Sequence, residues 1–146
     1  MSNVNEQLSM TGHLQIRLND ELVRDIPNLV VTAGKGFVAS RMIGTSAGVM
    51  SHMEVGTGTT DPAAGDTALQ SAVSSSRTAF SSSAAVSGAV VTYITTFAAG
   101  TGTGALTEAG IFNASSGGTM LCRTEFSVVN KGASDSMTIT WTVTVS

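Results

Sequence analysis

Ser136-Met137-Thr138-Ile139-Thr140-Trp141-Thr142-Val143-Thr144-Val145-Ser146 is the stretch that decides the fold. Successive side chains of an extended chain point to opposite faces. Met137, Ile139, Trp141, Val143 and Val145 therefore make one apolar face, and the Ser and Thr residues make a hydroxyl face. An amphipathic helix gathers apolar residues three and four apart on one face, and a regular spacing of two fits no such face. β-Branched residues and Trp suit a pleated, half-buried surface, and no Gly or Pro interrupts them. At ~3.3 Å per residue the run spans about 36 Å. The other strands are expected to assemble against it, with Trp141 in the core. Thr140 and Thr142 then face either water or a neighbouring subunit.

The 146 residues suit a single domain with one core. Only 12% are charged, about half the usual share, while Ser and Thr supply more than a quarter and Pro occurs twice. The 16 Gly gather near turns, the composition of an all-β protein. A net charge of −3 without a basic cluster argues against a nucleic-acid partner. No apolar run reaches the length of a membrane span, and Met1–Gln7 lacks the pattern of a signal peptide. The lone Cys122 excludes an intrachain disulfide and a multi-cysteine metal knuckle. So few charges on a soluble chain point to a surface partly covered by neighbouring subunits.

Residues 1–11 read as a flexible polar N-terminal arm, and residues 12–146 as a single β-sandwich domain. Leu14, Ile16 and Leu18 alternate with His13, Gln15 and Arg17 in a first strand. Asn19-Asp20 turns the chain into Glu21–Ile26, and Pro27 ends that arm because it cannot donate to a ladder. Asn28–Thr32 is a separate short apolar run. Ala33–Ile43 has helical spacing, with Thr32 as N-cap and Gly44 as the terminating glycine. Val49, Met53 and Val55 share a strand face. Two Gly-Thr loops follow, at Gly56–Pro62 and Gly100–Gly104, and Asp66 caps a short helical turn through Leu69. Arg77–Phe80 and Ala89–Phe97 are strands. Leu106–Asn113 and Met120–Phe126 form a hairpin around Ala114–Gly118. Asn130–Asp135 is the last turn. The sum is a mainly β chain, an antiparallel β-sandwich (jelly-roll-like or Ig-like) of seven or eight strands with one short helix.

No constellation reads as a catalytic, cofactor-binding or metal site. Gly44-Thr45-Ser46-Ala47-Gly48 matches a nucleophile elbow, but a helix precedes it and a strand follows, the reverse of the working context. His52-Met53-Glu54 is half of a zinc deaminase motif without its cysteine half. Gly34-Lys35-Gly36 is no Walker loop, and its default role is a helix N-terminus. Asn113-Ala114-Ser115 is a sequon without a secretory route. Cys122 reads as a buried small hydrophobe, and Glu108, Arg123 and Glu125 as cross-strand partners.

Several stretches, taken together, resemble a known group. They are Asn28–Lys35, Met50–Thr60 with Asp66–Leu69, Leu106–Asn113, Gly117–Arg123, Asn130–Gly132 and Met137–Trp141. As a set they resemble small virion-associated structural proteins of tailed bacteriophages. The Thr107-Glu108-Ala109-Gly110-Ile111-Phe112 segment also looks like one in phage fibre-attachment domains. The resemblance implies a β-rich, non-enzymatic subunit without cofactors, made in the bacterial host cytoplasm and located on the virion. A capsid decoration or cement protein is the first expectation, and a tail, neck or fibre-base adaptor the alternative. The expected partners are further copies of itself, with a homotrimer as the guess, and the major capsid protein or tail and neck proteins. A glycan-binding β-domain is the remaining reading, weakened by one Trp, one Tyr and scattered acids.

Overall fold

The computed structural model describes residues 7–44 and 48–146. In chain order the elements are β1 (Met10–Leu18), β2 (Glu21–Val30), α1 (Thr32–Arg41), β3 (His52–Gly56), β4 (Thr78–Ala79) and β5 (Ala85–Ser87). They continue with β6 (Val90–Phe97), β7 (Gly104–Phe112), β8 (Met120–Lys131) and β9 (Met137–Val145). The nine strands form one antiparallel sheet in the order β4-β3-β7-β8-β2-β1-β9-β6-β5. The expected antiparallel β fold with one short helix is present. Its two layers are the halves of one curled sheet, a half-barrel, joined through β2.

β9 lies between β1 and β6, with Trp141 opposite Leu14 on one side and Tyr93 on the other. The period-two pattern translates directly into burial. Met137, Ile139 and Trp141 are fully buried, while Thr138, Thr140, Thr142 and Thr144 are half-buried on the outer face. Trp141 Nε1 donates to Asn28 Oδ1 at 2.8 Å, so the buried indole leaves no orphan donor. Leu14, Ile16 and Phe97 from this half meet Met53, Val55, Leu106, Ile111 and Phe126 from the other.

β2 is the corner that joins the halves. Residues 21–28 pair with β1, whereas Leu29 and Val30 pair with β8. The strand therefore runs through Pro27, which was expected to end it. A missing N–H costs least where a strand changes neighbours, and the Pro27 carbonyl accepts a bond from Thr124 Oγ1. The ends of the curl also approach each other. Val73 N–H and Phe80 N–H donate to the β3-side carbonyls of Val55 and Ser51, and Ser81 N–H then donates to Ile94 of β6.

α1 follows β2 and packs on β8 because residue 34 is glycine. A Cβ there would sit 2.1 Å from the Leu121 carbonyl oxygen. The N-cap is Val31, without a side-chain cap bond, where Thr32 was expected. Thr32 N–H instead donates to Ala64 O, so a neighbouring loop satisfies the helix start. The helix ends at Arg41 with Met42 as its C-cap, and Gly44, expected at that place, turns the chain two residues further on at φ +65°. Three other expectations change. Val49 is 61% exposed and precedes β3. Asp66 caps no helical turn; its carboxylate accepts Ala63 N–H. β1 starts at Met10, and Ser9 exchanges two backbone bonds with Ser146, so the end of the expected arm is part of the sheet. Residues 1–6 of that arm lie outside the described residues.

Candidate functional site

Alternation along β7 and β8 sends Glu108 and Arg123 to the face turned away from the main core. Residues 57–71 cross that face and are fastened to it. One Glu108 oxygen, Oε2, accepts Gly58 N–H at 2.8 Å and Ser71 N–H at 2.7 Å. The other, Oε1, accepts Gln70 N–H at 2.9 Å and Arg123 Nε at 3.1 Å. Arg123 continues to the Asp66 carboxylate at 3.0 Å and the Thr60 carbonyl at 3.0 Å. Both Glu108 and Arg123 are essentially inaccessible to solvent. Leu69 completes the clamp in a small second core with Val31, Phe112 and Met120. Beside it, Arg77 pairs with Glu54 at 3.2 Å and lies 3.6 Å above the Phe112 ring. Buried charges persist only when paired and hydrogen-bonded, and each of these groups is engaged within the chain.

The residues singled out in the sequence fall in different places. Ser46 lies outside the described residues. His52 shares a 2.7 Å hydrogen bond with Ser51; burial, and secondarily the Arg77 charge, lower its pKa, so it is neutral at pH 7. Glu54 is committed to Arg77, and no group of three His, Cys, Asp or Glu side chains suited to a metal occurs among the described residues. Lys35 N–H donates to Val31 O inside the helix, and buried Gly34 meets the sheet, so the Gly-Lys-Gly segment forms no anion cradle. Cys122 is fully buried, and burial pushes its thiol pKa well up. Asn113 closes its own loop, accepting Thr119 N–H at 2.7 Å and donating to Gly48 O. The expected pairing of Glu108 with Arg123 is present; Glu125 faces Glu108 in the ladder.

The sequence reading missed Lys131. It is buried at the end of β8 and donates to Ala98 O at 2.9 Å. Burial lowers its pKa, and the nearby Asp135 opposes that shift. It also missed Asp66 as a partner of Arg123. The available signal was an arginine inside the apolar run Met120–Phe126, where an unpaired charge is untenable.

Three surfaces stand out among the described residues. A cleft of about 330 Å³ lies between α1 and the segment entering β1, walled by Leu8, Met10, Val38 and Met42. An open trough runs past Ser51 and His52 to Ser81–Ser83. The third is the outer face of β6, β9 and β1, over which no other described element is placed. Trp141 is in the core, and Tyr93 packs on Phe80 with ring centroids 5.1 Å apart. That burial pushes the Tyr93 pKa to about 12. No protein-family model, curated protein or solved structure matches the chain.

Proposed function

We propose that this chain is a non-enzymatic structural subunit of a tailed-bacteriophage particle, a decoration or cement protein that binds the assembled capsid as a homo-oligomer. The observation that carries the reading is the use of charge. Buried Glu108 and Arg123, with half-buried Asp66, fasten the chain's own 57–71 loop, while the outer face of β6 and β9 carries no charge. A chain built this way offers packing surface, and its resemblance to small virion-associated proteins supplies the particle. The mechanism is mass action: a subunit that binds the completed shell and not its disassembled parts stabilises it by its binding free energy.

The Thr107–Phe112 segment favours the adaptor as a second reading, since it resembles fibre-attachment domains. The test for both is a reconstruction of particles made with and without this gene, with the protein labelled. Density on the capsid facets, and shells less heat-resistant without it, is the expected result. Density at the tail, neck or fibre base selects the adaptor. Absence from the purified particle overturns both.

A further inference from the structure

We infer that the outer face of β6 and β9, bordered by β5 and β1, is an interface with a second copy of this chain. The inference deepens the homo-oligomer part of the proposed function and rests on it. The two faces of the curled sheet are treated differently by the sequence. Behind β7 and β8 the chain supplies its own cover, residues 57–71, fastened by Glu108 and Arg123. Behind β6 and β9 no other described element is placed.

The uncovered face is uniform. Ladder register places Thr138, Thr140, Thr142 and Thr144 of β9 beside Thr96, Ile94, Thr92 and Val90 of β6. All eight are half-buried. The stretch from residue 78 to residue 107, which contains β5 and β6, has no charged residue. Charge enters only at the border, with Arg17 and the His13–Asp25 pair on β1 and β2. A charge-poor centre within a polar rim is the anatomy of a protein interface. β5 adds a second sign: its three residues are exposed, Ala85 and Ser87 lie beside Thr92 and Val90 on this face, and neither charge nor proline guards this sheet edge. Monomeric β proteins normally guard their edges.

The face fits its own copy for a chemical reason. A threonine hydroxyl both donates and accepts, so a Thr row satisfies an identical row running the other way. Thr96 and Thr138 already form such a pair within one sheet, at 2.9 Å. A self-complementary face generates a two-fold, isologous contact. With strands ~4.8 Å apart and ~3.3 Å of rise per residue, eight residues each of β6, β9 and β1 and the short β5 give roughly 430 Å² per copy. Roughly 860 Å² for the pair falls in the range of weak, transient interfaces, so association is reversible and concentration-dependent.

The test is sedimentation velocity of the full chain from about 1 to 200 µM, in the wild type and in Thr142→Lys and Ile94→Lys. Both positions point outward, and thermal melts confirm folding. Dimers or even-numbered oligomers are expected, with each lysine weakening association at least tenfold; Ser127→Lys, on exposed β8 surface, leaves it unchanged. Thr140→Cys gives a size-conserving check: its thiol should label at least tenfold more slowly in concentrated than in dilute protein. A monomer throughout, a trimer, or oligomers indifferent to these lysines would overturn the inference. The particle location would stand in each case, because the reconstruction tests it separately.

Discussion

Glu108→Gln changes one oxygen to an NH2 group and should loosen the whole 57–71 loop. In the native protein each carboxylate oxygen accepts two hydrogen bonds, Gly58 and Ser71 N–H on one and Gln70 N–H and Arg123 on the other. A Gln amide has only one acceptor oxygen. In either orientation its NH2 confronts two donors, and Arg123 loses a charged partner while keeping Asp66. Breaking a buried pair by removing one member costs about 3–5 kcal/mol. For a chain of this length that lowers the Tm by roughly 6–20 °C. The assays are thermal and urea unfolding with amide hydrogen exchange, where Gly58, Gln70 and Ser71 should lose protection before the β9 amides. Pairing the substitution with Arg123→Met should cost less than the sum of the single changes, since the two groups act on each other. A loss below about 1 kcal/mol with the three amides still protected would refute the clamp.

Gly34→Ala puts a methyl group against the Leu121 carbonyl; it should destabilise by about 1–3 kcal/mol despite alanine's better helix propensity, as read in urea titration. Cys122 should resist thiol reagents in the native protein and react at the global unfolding rate, because its sulfur is fully buried and its pKa raised; reaction at the rate of a free thiol would contradict that burial. Acid should destabilise the protein in two steps, followed by Tm against pH. His52 has a folded pKa below 6.5, so under pH 6.5 the unfolded chain binds the extra proton and stability falls. Asp135, lowered by its bonds from Asn19 and Gly132, adds a loss as pH falls below about 3.8. In His52→Gln the first step should vanish and the second remain.

The parts of the fold legible in the sequence were those where one local pattern decides. β9, β6 and the β7–β8 hairpin follow from period-two alternation and glycine-rich turns, and Asn19-Asp20 adopts the positive φ angles of its tight turn. Pro27 misled because its cost depends on which neighbour a strand has, and β2 changes neighbours there. Thr32 misled because a distant loop carbonyl, Ala64, took the place of a side-chain cap. Asp66 looked like a helix cap, but its partner Arg123 is 57 residues away, beyond any local rule. Glu108 and Arg123 were readable as partners through strand spacing, whereas the backbone amides they organise come from a loop without periodicity. Lys131 escaped notice since a polar residue at a strand end is usually solvated, and only the Ala98 carbonyl shows otherwise.

The pairing of β1 with β9 also governs when the protein can fold. Met10 faces Val145 and Leu18 faces Met137, so the first described strand waits for the last. Until β9 arrives, β1 has neither a second ladder nor Trp141 to cover Leu14 and Ile16. Contacts of such sequence separation must overcome loop-closure entropy before they return any stability, which places folding among the slow, millisecond-to-second cases. During that interval the β1 edge is open to any other strand. The same closing strand that completes the core thus ends the period in which the chain is exposed to mispairing.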